Sequence, residues 1–134
     1  MFEIVVFTAS PTIYAHKLLD LIDPDHIYFD HRLFRNHCFY HQVWNISNDY
    51  VQLNHSSQGH YVKNLEILGR DMSQVTIIDN SVEAIGLQLE NGVLIDDYLG
   101  DADDQCLLEM IQLLSFLSEA EDARDGVAQF YNST

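Results

Sequence analysis

The chain has 134 residues, 47% of them hydrophobic, and a formal charge of −15 from 21 acidic against 6 basic side chains. That length and hydrophobic content suit one folded domain with a two- or three-layer core. The charge excludes a sequence-independent nucleic-acid binder, which needs cations to displace counterions from phosphates, and disfavours docking on an anionic membrane surface.

Ile4 to Phe7 is an apolar run that predicts a buried strand, and Thr8-Ala9-Ser10-Pro11 follows it directly. Ser10 is the expected N-cap and Pro11 the first residue of a helix running to about Asp20. A helix that starts at the carboxyl end of a strand turns backbone N–H groups towards the crevice there. That makes an anion site around Thr8 and Ala9, to which the Thr8 hydroxyl adds a donor. Leu18, Leu19, Leu21 and Ile22 form the expected apolar face of the helix, and Asp23-Pro24-Asp25 breaks it. Ile27 to Phe34 is predicted to be extended, with Tyr28, Phe29, Leu33 and Phe34 as packing residues. Phe39 to His60 carries Trp44, Tyr50 and the polar run Asn54 to Gly59, and reads as an inserted surface loop or hairpin. His37, Cys38, His41, His55 and His60 do not follow zinc-site spacing and are expected to be ordinary solvated or hydrogen-bonding side chains.

Tyr61-Val62 begins a further predicted strand, with Lys63 just beyond it on a flexible stem that can bring an ammonium to a phosphate. Leu65 to Leu68 makes about one helical turn, which Gly69 caps in the left-handed conformation. Val75 to Ile78 is a β-branched run with no polar face, the pattern of a strand covered on both sides. It stops at Asp79-Asn80-Ser81. Ligands of open α/β sheets sit at the carboxyl ends of strands, and the oxygen donors of Asp79 and Asn80 suit Mg²⁺. Val93 to Ile95 is the next predicted strand, and Asp96-Asp97 after it reads as solvated loop acids. Asp101 to Asp104 is expected to open a helix, with Leu107, Leu108, Ile111, Leu114 and Phe116 as its packing face. Glu119 to Tyr131 is expected to form a shorter helix. Cys38 and Cys106 suggest no disulfide framework and hence a reducing compartment, nuclear or cytoplasmic. No apolar run approaches the ~20 residues of a membrane span, and Met1-Phe2-Glu3 lacks the basic start of a signal peptide.

Four blocks carry a family resemblance: FEIVVFTAS at residues 2–10, HRLFRNHC at 31–38, YVKNLEILGRDMSQVTIIDNS at 61–81 and NGVLI at 91–95. With the acidic tail helix, they resemble the small CTD phosphatases, the NLI-interacting-factor-like branch of the haloacid dehalogenase superfamily, in the same order along nearly the whole chain. The resemblance implies a three-layer, Rossmann-like α/β fold with a mostly parallel sheet. It further implies Mg²⁺-dependent hydrolysis of phosphoserine or phosphothreonine in a phosphoprotein through an aspartyl-phosphate, with RNA polymerase II C-terminal-domain-like phosphopeptides as candidate substrates. Under it Thr8 and Lys63 are catalytic, Ala9 and Arg35 contact substrate, and Asp79 and Asn80 hold the metal.

Two departures from the family pattern stand out. Only a few residues usually separate the positions of Cys38 and Tyr61. The family's nucleophile motif, D-x-D-x-T at the end of a central strand, precedes the block that begins here at Phe2. The D-x-D of Asp23-Pro24-Asp25 lies in a turn after a helix and lacks the threonine, so it is rejected. The expectation is one N-terminally truncated domain over 1–134 whose central strand is missing and which is inactive alone; a genuine short form would instead have its sheet completed by a partner or by strand exchange and act as a binding module. The alternative is a catalytically silent phosphopeptide-binding or scaffold module, including the branch of the family that serves mitochondrial import. A receiver domain of two-component signalling is disfavoured, because it places its phosphorylated aspartate before the threonine and lysine.

Overall fold

The structure, a computed structural model, describes residues 2–41 and 59–133. Strand β1 (Val5–Phe7) leads through Thr8 into helix α1 (Thr12–Ile22), and strand β2 (His31–Leu33) returns to pair with β1 in parallel. Strands β3 (Phe39–His41) and β4 (His60–Val62) form an antiparallel pair. The body of the expected 39–60 insert lies outside the described residues, and only its ends are seen as these two strands. Strand β5 (Ile77–Asp79), the short helix α2 (Val82–Ile85) and strand β6 (Gly92–Leu94) follow, with β5 and β6 parallel. Helices α3 (Cys106–Leu117) and α4 (Ala123–Ser133) close the chain. This is the expected α/β class. Among the described residues no strand joins β1 to β5, so the parallel strands stand as two separate pairs.

Several local expectations shift for identifiable reasons. Pro11 is the N-cap of α1, not its first residue: its carbonyl accepts the amides of Tyr14 and Ala15, and its backbone (φ −58°, ψ 141°) is still extended. Ser10 makes no cap. The 27–34 segment is a strand only over its last part, because the Asp23 carboxylate accepts the amides of Ile27, Tyr28 and Phe29 at 2.8 to 3.2 Å and curls that backbone around itself. Tyr28 is consequently exposed, while Phe34 packs against Ala15 and Leu19 and the partly buried Phe29 packs against the same cluster. The helix expected at Asp101 opens at Cys106. The carboxylates of Asp101 and Asp104 take the amides two residues on, competing with the helix for those donors. Helix α4 likewise begins later than expected, at Ala123.

The buried faces of the two long helices also differ from those predicted. In α1 the buried residues are Ala15 and Leu19, while Leu18, Leu21 and Ile22 are exposed. In α3 they are Met110, Leu113 and Leu117, which pack with Val93 and Val127; Leu107, Leu108, Ile111 and Phe116 are exposed. The turn at 65–68 is as predicted, with Gly69 in the left-handed region (φ 61°) where a side chain would be strained. The Tyr131 hydroxyl accepts the Leu94 amide at 2.8 Å and ties α4 to β6.

Gly92 sits where β6 passes α2, and a Cβ there would lie 2.5 Å from Cδ1 of the buried Ile85. Gly92→Ala is therefore expected to lower stability by about 1–3 kcal/mol through overpacking. Urea denaturation would measure it, and an unchanged midpoint would show that Ile85 has room to swing.

Candidate functional site

The carboxyl ends of β1 and β5 border one hollow of about 480 Å³. Thr8, Ala9, Arg35, Lys63, Asp79 and Asn80, the six residues singled out by sequence, all line it, together with Tyr61, Ser81 and Glu83. The grouping has a topological cause. β1 delivers Thr8 and Ala9, the turn after β2 delivers Arg35, β4 delivers Lys63, and β5 delivers Asp79 and Asn80.

Lys63 and Asp79 are the buried charges of the site, at 8% and 7% exposure, and the ammonium bonds directly to Oδ2 of the carboxylate. The other carboxylate oxygen, Oδ1, accepts the Ser81 amide at 2.9 Å. The Lys63 backbone is held by its amide to the Ala84 carbonyl at 2.8 Å, and its ammonium lies 5.9 Å from the centre of the Phe7 ring. Two buried opposite charges offset much of each other's desolvation only while they remain together.

Thr8 donates its amide to the Leu33 carbonyl, and its Oγ1 accepts the Ser10 amide at 3.1 Å. The Ser10 N–H, expected to face an anion, is thus spent on the threonine. What this aims at the hollow is the threonine hydroxyl, whose proton is left to donate. Arg35 is fixed from two sides: Nε donates to the Ala9 carbonyl at 2.6 Å, and the guanidinium lies 4.7 Å from the centre of the Tyr61 ring. Among the described residues no carboxylate lies within ion-pair distance of Arg35, whereas Arg32 has two and Arg70 and Arg124 have one each. In a chain of charge −15, a guanidinium held at the rim of a hollow without an acid beside it is suited to an incoming anion.

Asn80 donates its side-chain amide to Asp97 at 2.7 Å. Asp97 is an exposed loop acid, as expected, and in addition it orients the candidate site residue Asn80. Parallel pairing of β5 and β6 sets their ends side by side, and that pairing was the signal that would have found it. Glu83 is held below the usual carboxylate range by its own backbone amide and by the Ser81 hydroxyl, with His60 adding to the effect. The half-buried Cys38 thiol near Thr8 is pushed up by burial, against the pull of Lys63 and Arg35, which keeps it protonated and a poor nucleophile. His37, one of the histidines in the zinc question, accepts the Phe34 amide at Nδ1. His55 lies outside the described residues. Asp23, the first acid of the rejected D-x-D, is fully buried under its own turn, away from the hollow.

As a cation seat the site offers one carboxylate and one amide oxygen, a hard oxygen set that fits an ion keeping several waters and binding through few protein ligands. Among the described residues no cluster of three or more histidine, cysteine or acidic side chains is placed for a metal.

Residues 1–124 match the family described as NLI interacting factor-like phosphatase. The chain belongs to that family. Among curated proteins it is 39% identical over 127 residues to CTD small phosphatase-like protein 2 of Dictyostelium discoideum, covering 95% of this chain and 19% of that one. It is 41% identical over 116 residues to CTD small phosphatase-like protein 3 of Caenorhabditis elegans, covering 87% and 34%. It is also 32% identical over 133 residues to mitochondrial import inner membrane translocase subunit TIM50 of Candida glabrata, covering 98% and 24%. The chain thus spans between about a fifth and a third of the length of these relatives. This NLI interacting factor-like phosphatase chain has, among its described residues, no helix long and apolar enough to cross a membrane.

Proposed function

We propose that residues 2–41 and 59–133 carry the phosphoryl-cradling part of a protein serine/threonine phosphatase site that works through an aspartyl-phosphate. The observation that carries this reading is the convergence of the Thr8 hydroxyl, Lys63, Arg35 and the Asp79–Asn80 oxygens on one hollow. Thr8 and Lys63 donate to the equatorial oxygens of the transferring group, fixed donors that need no reorganisation as charge develops there. Arg35, braced by Ala9 and Tyr61, holds the substrate's phosphate and the residue beside it. Asp79 and Asn80, with Asp97 behind the amide, are the residues that would hold Mg²⁺. The ion supplies a Lewis acid that neutralises phosphate charge. Among the described residues the acids that line the hollow, Asp79 and Glu83, are engaged by Lys63 and by Ser81, which supports a reading in which the attacking carboxylate is supplied from outside the described residues. Phosphoproteins are the partners, with RNA polymerase II C-terminal-domain-like phosphopeptides as candidate substrates, in the nucleus or cytoplasm.

The translocase relatives, at 32% and 31% identity over nearly the whole chain, support a second reading: a silent phosphopeptide-binding or scaffold module of the same family. Turnover of an aryl phosphate with Mg²⁺ separates the two. The chain alone is expected to be silent, and the chain joined to an upstream segment bearing Asp-x-Asp-x-Thr is expected to turn over. Turnover by the chain alone would place the nucleophile within it and refute the assignment. Silence in both forms, with phosphopeptide binding retained, would favour the scaffold.

A further inference from the structure

Among the described residues, four side chains of full charge line the hollow: Arg35, Lys63, Asp79 and Glu83. Lys63 and Asp79 neutralise each other. Arg35 and Glu83 do not, since neither has an ion-pair partner among the described residues and they are not within ion-pair distance of one another. Each is pinned where it stands. The Arg35 guanidinium is held by the Ala9 carbonyl and the Tyr61 ring. On Glu83, Oε2 accepts the Ser81 hydroxyl at 2.9 Å, and the oxygen of that hydroxyl accepts the Ala84 amide at 3.2 Å, so the carboxylate is tied to the capped start of α2. Its own backbone amide and the Ser81 hydroxyl keep the Glu83 carboxyl low and hence ionised, with His60 adding to the pull from beyond ion-pair distance. Glu83 is exposed, so burial does not account for its being held. Two opposite charges fixed apart on one hollow before a ligand arrives lose little freedom when a ligand spans them. Such a ligand carries an anion and a cation a short way from each other.

We propose that Glu83 is a specificity residue of this site, selecting phosphopeptides that carry a lysine or arginine within about three residues of the phosphorylated one, roughly 10 Å of extended chain. The phosphate takes Arg35 and the Thr8–Lys63 end of the hollow, and the neighbouring cation takes Glu83. The place of the phosphate rests on the phosphatase-site reading; the preference for a basic neighbour is added by Glu83.

The test measures, by fluorescence anisotropy, the binding of phosphoserine peptides to the full chain. Each peptide has one lysine, glutamine or glutamate at one of the three positions on either side of the phosphoserine, in an otherwise neutral sequence. About 0.15 M salt screens charges beyond ~8 Å, which suppresses the pull of the chain's overall charge, and at about pH 8 ordinary imidazoles are neutral. An exposed ion pair is worth about fivefold in affinity at most, so at one position or more lysine is expected to bind about tenfold tighter than glutamate, with glutamine between. Glu83→Gln, which keeps an oxygen for the Ser81 hydroxyl, is expected to cut that ratio below about threefold, and Glu83→Lys to invert it. Glu119→Gln removes the same charge from an exposed position outside the hollow and is expected to leave the ratio as it was. A ratio that survives Glu83→Gln, that falls equally with Glu119→Gln, or that never departs from one would overturn the proposal. Unphosphorylated copies of the peptides distinguish the two failures. Binding that needs the phosphate but ignores its neighbour overturns the role of Glu83 and leaves the phosphate site standing. Binding that does not need the phosphate, or no binding by any peptide, overturns both. Should the chain be insoluble alone, the form joined to the upstream segment, kept from turnover by chelation of Mg²⁺, gives the same readout.

Discussion

Lys63→Met is expected to destabilise the fold by about 3–5 kcal/mol, because it removes the cation and leaves the buried Asp79 carboxylate without its partner. The loss is mostly a penalty on the charge left behind and not the worth of the pair. The double variant Lys63→Met/Asp79→Leu should therefore recover most of it, since an apolar pair of similar volume often does as well as a buried ion pair. Chemical denaturation of the wild type, both single variants and the double variant closes the cycle. A single variant as stable as the wild type would mean that water reaches Asp79, and that the hollow is wetter than 7% exposure implies. The same pair matters for function. Asp79 has one oxygen on Lys63 and the other on Ser81, so a cation could use the aspartate only by displacing or sharing one of them.

Asp23→Asn is expected to cost more than the loss of any single helix cap in the chain. Asp23 is fully buried, accepts three backbone amides, and has Arg32 bonded to its carbonyl and 3.6 Å from its carboxylate. An asparagine offers one acceptor oxygen where two are used, and turns an N–H₂ towards donors. The pH profile adds a sign that a purely steric defect would not give. Burial alone would raise the Asp23 carboxyl, but the amides of Ile27, Tyr28 and Phe29, with Arg32, outweigh it and hold the group below its ordinary value of 3.8. A carboxyl depressed in the folded state contributes stability that is full above its unfolded value and fades as the pH falls below 3.8 towards the folded one. The wild type should therefore show this acid limb, and Asp23→Asn should be less stable at neutral pH with a shallower limb. Parallel acid limbs in the two proteins would remove Asp23 from the explanation. The exposed pairs of Glu3 with Arg70 and Asp122 with Arg124 are screened by solvent and should contribute little to it.

Part of the hollow was legible in the sequence because Thr8, Lys63 and Asp79 mark the ends of apolar or β-branched runs; Arg35 came only with the family resemblance. Thr8 stands just past β1, Lys63 just past β4, and Asp79 is the last residue of β5; ligands of open α/β sheets gather at such carboxyl ends. The burial of the helices was less legible. α1 and α3 carry apolar residues around most of their circumference, so periodicity alone cannot say whether Leu19 or Leu21, Met110 or Ile111, meets the core. Asp101 to Asp104 misled in another way, since aspartates that favour a helix start also make turns with their own backbone. The role of Asp97 needed the β5–β6 pairing, which no local pattern encodes.

The bond from Leu94 to Tyr131 has a bearing on solution behaviour. Leu94 follows Val93 by one residue, so its amide points away from β5, and the phenol occupies it. With that donor taken and α4 held beside it, a further strand laid along this margin would find no free amide at Leu94 and would have to displace the phenol first. The helix thereby blunts one exposed edge of the ribbon against edge-on association.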